Sequence, residues 1–391
     1  MPETAPKRPI FLLTHEFDPR RGGIATFCEE IALAAHEAGH PVEVWTHLDP
    51  AGKSRSWPFP VRRLAMSGTH GLRCRLATVK AIIAERKRLR EATLLLAEPG
   101  PMMACFWLLP FIGLLPSRLM LTFHGSEILR FHADPFTRHF TRALIRRAER
   151  ISTLTDYTRD LLCARFPEAE GKTVLTPGAV RSAPEASTAP ALPRDTGTDR
   201  LVVLTVGRLH PRKGQLQTLQ ALAALPAELR DRVEYWIVGR TNGAHYEHQL
   251  QFAAASTTLR TRFLGELNEA QLDLAYRRAD IFALTSIEHG RSVEGFGLVY
   301  LDASARGLPI VAHRIGGVPE AVADNITGLL VPPDRPAELT AAFARLITDP
   351  ALRRRLADAG PAWARKHTWQ ASARALFNPA VASSPTAIQT P

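Results

Sequence analysis

Two stretches of the 391-residue chain bring together residue types suited to holding an anion. The first runs Thr205-Val-Gly-Arg-Leu-His-Pro-Arg-Lys-Gly-Gln215, in which an apolar run ends at Val206, a glycine permits close backbone approach, and two or three cations precede a helix due near Gly214. A helix N-terminus adds unpaired amide donors and partial positive charge, and open α/β sheets hold ligands beyond the carboxyl ends of their strands. Arg208 and Lys213 are thereby placed to face a diphosphate. Alone, the same residues also describe a solvated basic turn, because short Gly/Lys motifs recur by chance. The second stretch is Glu294-Gly-Phe-Gly-Leu-Val-Tyr-Leu-Asp302. It sets a carboxylate before a glycine turn and opens a helix whose first amides, on Phe296, Gly297 and Leu298, suit a β-phosphate or sugar hydroxyls. Asp302 follows Glu294 by eight residues, about two turns into that helix, where a second acid can reach a ribose.

Short apolar runs alternating with amphipathic stretches must position these residues, the pattern of strand-helix repeats that build parallel sheets. In the first half the expected strands are Ile10–Thr14, Val42–Thr46, Leu94–Ala97, Leu119–Phe123, Ile151–Thr155 and Val174–Thr176. A second series follows at Leu201–Val206, Val233–Val238, Arg262–Leu264, Ile281–Leu284, Pro309–Ala312 and Leu329–Val331. Between them the Ala/Pro/Ser/Thr stretch of residues 179–200 has little to bury and reads as a linker and hinge. The expected division is a first domain over 1–180, a linker over 181–200, a second domain over 201–378 and a mobile tail over 379–391. A chain of this length exceeds what one core usually supports, which agrees with two domains.

Composition narrows the class. Hydrophobic residues at 45% and charged residues at 22% are ordinary for a soluble globular enzyme. Cys28, Cys74, Cys105 and Cys163 lie far apart with no Cys-x-x-Cys pair, which suggests neither a disulfide framework nor a zinc site and fits a reducing, cytoplasmic setting. The apolar run Ile10–Leu13 is too short for an export signal. Met102–Pro116, broken by Pro110 and Gly113, is too short to span a bilayer and reads as a buried helix. The net charge of +11 implies an anionic partner. Much of it gathers between Arg62 and Arg90, where Glu85 is the sole acid. That segment is either a helix lying on anionic lipid at the inner membrane face or a solvated helix face whose Leu72, Leu76, Val79, Ile82, Ile83 and Leu89 pack on their own sheet. A nucleic-acid partner is not expected, since interleaved aromatic platforms and a binding motif are missing.

The runs GRLHPRKG, EGFGLVYLD, GLPIVAHRIGGVPEAV and DNITGLLVPP resemble glycosyltransferase family 4, of GT-B fold. The likeness extends over about residues 10–378. Pro19-Arg-Arg-Gly-Gly-Ile24 resembles that family's glycine-rich loop, through Gly22 and Gly23, and His124-Gly-Ser-Glu127 its His-Gly-x-Glu motif. The resemblance implies two Rossmann-like domains facing each other across a cleft, and a retaining enzyme that moves a sugar from a nucleotide-diphosphate donor. Arg208 and Lys213 would lie on the diphosphate, Glu294 near the transferred sugar, His124 approaching that sugar from the first domain, and Gly23 close to the phosphates. It also implies a glycan or lipid-linked saccharide of a cell-surface polysaccharide pathway as acceptor. The family's usual glutamate is aspartate at residue 302, which shortens its reach by roughly 1.5 Å and implies a weaker or water-bridged ribose contact. No Asp-x-Asp occurs, so cations and helix-end amides replace a metal clamp, and neither a metal nor a cofactor besides the nucleotide sugar is expected.

Other motifs carry less. His36-Glu37-Ala38-Gly39-His40 matches a zinc pattern that needs one continuous helix, and Gly39 and Pro41 end it. His245 and His248 read as surface residues, Trp363 and Trp369 as core anchors. Glu127 is expected to orient its loop. Alternatives are a scaffold of this fold that has lost activity, for which the aspartate at 302 is the hint, and a basic nucleic-acid-binding protein, for which the +11 charge is the hint.

Overall fold

The computed structural model describes residues 7–66, 71–111, 113–181, 200–241 and 243–378. The chain forms two compact units, Met1–Gly178 with Thr368–Pro391 and Ala179–His367.

The first unit is built on a seven-stranded sheet, all of whose pairings are parallel, in the order β3-β2-β1-β4-β5-β6-β7. Its strands are β1 (Ile10–Leu13), β2 (Val42–His47), β3 (Val61–Leu64), β4 (Thr93–Leu96), β5 (Arg118–Phe123), β6 (Arg150–Thr153) and β7 (Thr173–Leu175). The central ones, such as IFLL and TLLL, are buried along their whole length, as helices on both faces of a parallel sheet require. The order reverses between β1 and β4, and such a switch point opens a crevice at the strands' carboxyl ends. Helix α1 (Gly23–Glu37) follows β1, α2 (Leu72–Ala84) and α3 (Arg86–Arg90) follow β3, α4 (Pro99–Cys105) follows β4, and α5 (Ser126–Ala133) follows β5.

The second unit repeats the plan with a six-stranded parallel sheet ordered β10-β9-β8-β11-β12-β13. Its strands are β8 (Leu201–Val206), β9 (Val233–Val238), β10 (Arg260–Gly265), β11 (Ile281–Leu284), β12 (Ile310–His313) and β13 (Gly328–Val331). Here the switch point lies between β8 and β11, beside the strand ends that carry Gly207 and Thr285.

Four expectations change. β3 was not foreseen: VRRL is half polar and two prolines, Pro58 and Pro60, precede it, a composition that only an edge strand tolerates. Arg62 and Arg63 therefore stand on that strand, ahead of the basic helix. Only Pro99–Cys105 of the apolar region around Met102–Pro116 is helical, and turns follow, with Gly113 at φ 86°. The helix Trp369–Phe377, expected to close the second unit, packs in the first. Phe27 and Trp369 meet edge to face at 6.0 Å, Arg150 donates to the carbonyls of Ala375 and Leu376, and Ser372 donates to that of Pro177. The amphipathic pattern showed a face to bury without saying which sheet would bury it. Most of the expected linker, and the tail after residue 378, lie outside the described residues.

Helix α1 stops at Glu37, Gly39 is left-handed at φ 85°, His36 packs on Phe59, and His40 Nδ1 lies 3.1 Å from the Arg8 carbonyl. His245 and His248 are exposed. Trp363 is buried in the second unit, where Nε1 donates to the Ala321 carbonyl at 3.0 Å.

Candidate active site

In the second unit β8 ends at Val206 and the chain turns through Gly207 and the short 3-10 turn Pro211–Lys213 into the helix Gln215–Ala223. The turn is pinned on both sides of Arg212. Its amide donates to His210 Nδ1 at 3.1 Å, and its carbonyl accepts the Ile287 amide at 2.9 Å. Gly214 is left-handed at φ 71°, and a Cβ there would lie 1.7 Å from the Thr285 carbonyl oxygen. The glycine thus lets the turn press against the end of β11. Lys213 and Arg212 consequently project together onto Glu294. Lys213 Nζ and Arg212 Nη1 each lie 2.7 Å from Glu294 Oε2, and Ser286 Oγ donates to the same oxygen at 3.0 Å. The His313 ring at the end of β12 supports Ser286, with Nδ1 donating to its carbonyl at 3.0 Å.

Burial alone would raise the Glu294 pKa, but Lys213 and Arg212 overcome that and hold it at about 2. Burial depresses Lys213, against which Glu294 pulls upward. Glu294 is therefore ionised at neutral pH, in a nearly dry triad with Lys213 and Arg212. Because the folded pKa of Glu294 lies below its ordinary 4.5, the triad's stabilisation is complete above that value and is lost as pH falls from about 4.5 towards about 2. In an acid titration of stability, followed by circular dichroism with urea, the slope over this window should shrink in Glu294→Gln; an unaltered slope would assign the acid transition elsewhere.

Beyond Glu294, Gly297 caps the helix Leu298–Ala305 in a left-handed conformation at φ 87°, where a Cβ would strike the Tyr300 ring at 2.4 Å. Among the described residues no acceptor takes the amides of Phe296, Gly297 or Leu298. Asp302 is half-buried and little more than one turn into this helix, not two, since the helix opens only at Leu298. Its charge bears on Tyr276, and its carbonyl accepts from Arg306 at 3.0 Å. Arg208 is exposed beside the triad, near enough for its charge to lower Lys213 and His210 further. Arg212, Ser286 and His313 were not singled out from sequence. Arg212 is visible as a cation adjoining Lys213, but no local pattern marks the other two.

The first unit holds the remaining residues. Gly22 and Gly23 cap and open α1, whose first turn has no acid, and a Cβ at either would meet nothing within 4 Å. At Gly23 the protein itself therefore does not demand glycine, whereas Gly22, at φ 158°, holds a backbone conformation that other residues rarely adopt. His124 ends β5 with Nε2 2.9 Å from the Ala97 carbonyl. A carbonyl only accepts, so Nε2 carries a hydrogen and Nδ1 is the ring nitrogen not used in this contact. Glu127 accepts the His124 and Gly125 amides, which gives it the orienting role expected. Glu98, missed from sequence although a proline at the first helical position marks a helix start, accepts the Gly100 amide at 2.8 Å and the His15 amide at 2.9 Å. Burial pushes its pKa up to about 7.

Two Rossmann-like units in tandem, each built on a parallel sheet with one switch point, are the architecture of the GT-B class of glycosyltransferases. Two family models match, Glycosyltransferase Family 4 over residues 21–183 and Glycosyl transferases group 1 over residues 193–363. The chain belongs to glycosyltransferase family 4 and is an enzyme that acts on nucleotide sugars. It is 29% identical over 378 residues to the GDP-mannose-dependent alpha-(1-6)-phosphatidylinositol monomannoside mannosyltransferase of Mycolicibacterium smegmatis, covering 92% of this chain and 94% of that one. It is 37% identical over 191 residues to the D-inositol 3-phosphate glycosyltransferase of Corynebacterium glutamicum, covering 46% of this chain and 44% of the other. Sucrose-phosphate synthase from Thermosynechococcus elongatus shares the fold with a TM-score of 0.75 at 22% identity, over 94% of this chain and 96% of that one. HepE of Anabaena, solved with UDP and glucose, does so with a TM-score of 0.71 at 21% identity, over 94% and 97%.

Proposed function

We propose that the chain is a retaining, metal-independent glycosyltransferase that uses GDP-mannose and glycosylates a glycan or lipid-linked saccharide, with inositol-phosphate head groups the first acceptors to test. The observation that carries this reading is the ion triad of Arg212, Lys213 and Glu294 beside the open amides of Phe296, Gly297 and Leu298. The choice of GDP-mannose is supported by the Mycolicibacterium relative, and that of the acceptor class by it and the Corynebacterium one.

In the reaction the bond from sugar C1 to the β-phosphate oxygen breaks, an acceptor hydroxyl oxygen bonds to C1, and its proton leaves to the departing diphosphate or to solvent. Positive charge grows on the sugar and negative charge on the leaving group. Lys213, Arg208 and the helix-end amides are assigned to the leaving group, where fixed donors act without reorganising. Glu294 Oε1, the oxygen turned away from the triad's hydrogen bonds, is assigned to a sugar hydroxyl, and His124 Nδ1 to another. Asp302 is assigned to the ribose, and Gly22 and Gly23 to close backbone approach to the phosphates. Cations and amides supply the charge a metal would otherwise bring, so turnover should persist in EDTA, without any cofactor besides the donor.

The test is a donor panel with EDTA present, the anomeric configuration of the product being read by NMR. Transfer from GDP-mannose with an α-linked product supports the reading. Dependence on added metal, an inverted product, or no turnover with any nucleotide sugar defeats the corresponding part.

Association with an anionic membrane face belongs to the same reading. Among the described residues no helix is long and apolar enough to cross a membrane. Helix α2 leaves Leu72, Leu76 and Ile83 exposed, with Arg73 and Lys80 beside them and Lys87 just beyond on α3. Arg62 and Arg88 do not count towards this surface, because Glu85 and Glu43 hold them at 2.6–3.2 Å. Charge reversal at Lys80 and Lys87 should therefore weaken binding to phosphatidylglycerol vesicles by at least about thirtyfold, on the basis of about 1 kcal/mol per basic residue, without lowering the melting temperature. Equal binding by wild type and variant would remove the membrane from the account.

A further inference from the structure

The two oxygens of Glu294 are not equivalent. Oε2 takes all three protein donors, Lys213 Nζ and Arg212 Nη1 at 2.7 Å and Ser286 Oγ at 3.0 Å. Lys213 Nζ is thus engaged by a carboxylate. A diphosphate competes for that ammonium, and a carboxylate whose side chain is 8% exposed is poorly placed to lose a counter-ion to a ligand, because an uncompensated buried charge is strongly unfavourable. Arg212 is the other cation on Oε2. Its backbone is locked by His210 and Ile287, and its planar guanidinium keeps its geometry when its neighbour moves.

We propose that Arg212 is a positioning residue that keeps Glu294 compensated when Lys213 turns from the carboxylate to the β-phosphate, and so sets how readily the enzyme takes up its donor. Arg212 acts through Glu294 and Lys213 and does not itself hold the phosphate. The inference rests on the reading of this site as a nucleotide-sugar site.

Calorimetric titration with GDP and UDP as probes tests it. In Arg212→Ala, Lys213 is the sole counter-ion left to Glu294, and affinity should fall about tenfold. Arg212→Lys should restore most of it. In Arg212→Ala combined with Glu294→Gln no carboxylate remains to hold Lys213, and affinity should return to that of Glu294→Gln alone. A direct phosphate contact by Arg212, or general damage to the site, would leave the double variant as weak as the single one, which overturns the proposal. So would undiminished binding by Arg212→Ala. If thermal melting shows that Arg212→Ala does not fold, the comparison is made between Glu294→Gln and Arg212→Gln/Glu294→Gln, in which the buried carboxylate is absent; equal affinities support the proposal and a weaker double variant refutes it. Failure of the wild type to bind either nucleotide would strike the site reading itself, whereas wild-type binding that ignores Arg212 strikes this inference alone.

Discussion

Replacing Lys213 with alanine should lower turnover by about a thousandfold while leaving the second unit folded. The loss is electrostatic in origin. A cation about 4 Å from a phosphate is worth about 4 kcal/mol at an effective dielectric near 20, and at about 1.4 kcal/mol per decade this is roughly a thousandfold in rate if the interaction matures only as the leaving group gains charge. Lys213 meets the conditions for that value, being 14% exposed and fixed between the left-handed Gly214 and the Glu294 carboxylate. Stability should change little, because removing one of two cations relieves Lys213's own burial while Arg212 still pairs with Glu294 at 2.7 Å. Steady-state kinetics with saturating donor would show the loss in kcat. A decline of less than tenfold would mean that the leaving group is stabilised by other groups. Arg208→Ala should cost less, since Arg208 is exposed and its field is screened by water.

Gly214→Ala carries the largest expected effect on stability. The new Cβ would sit 1.7 Å from the Thr285 carbonyl oxygen and 2.4 Å from its carbonyl carbon. Both are backbone atoms at the end of β11, where Thr285 Oγ1 also donates to the Gly214 carbonyl at 2.7 Å. Neither partner can rotate aside. Alanine would in addition have to hold the left-handed φ of 71°, at roughly 1–2 kcal/mol. A total above about 4 kcal/mol places this among the exceptional single substitutions, enough to lower the melting temperature by roughly 10 °C. Gly265→Ala separates the two contributions, because Gly265 has φ 64° with nothing within 4 Å of a Cβ; it should show the backbone cost alone. Equal melting temperatures for the two variants would contradict the close approach.

Much of this architecture is legible in the residues. IFLL, LVVLTV and IFAL read as strands because a parallel sheet covered on both faces buries every position, and glycines mark the turns after β8 and before the helix Leu298–Ala305. What stayed hidden was decided by tertiary context. VRRL gives no strand signal, since an edge strand is free to be polar. The Trp369–Phe377 helix displays a face to bury, yet its partners, Phe27 and Arg150, lie more than 200 residues away in the chain. In Arg-Lys at 212–213 the charges are evident, but that both converge on one oxygen of Glu294 depends on the left-handed turn at Gly214. Ser286 and His313 acquire their part only because β11 and β12 are neighbours in the sheet.

Lys213, Arg208 and the amides of Phe296–Leu298 are proposed to cradle a pyrophosphate. Calorimetric comparison of GDP with GMP and of UDP with UMP, in EDTA, isolates the β-phosphate. The account predicts that the β-phosphate tightens binding at least tenfold in the wild type, an increment that Lys213→Ala abolishes. Monophosphates binding as tightly as diphosphates, or an increment indifferent to Lys213, would contradict it.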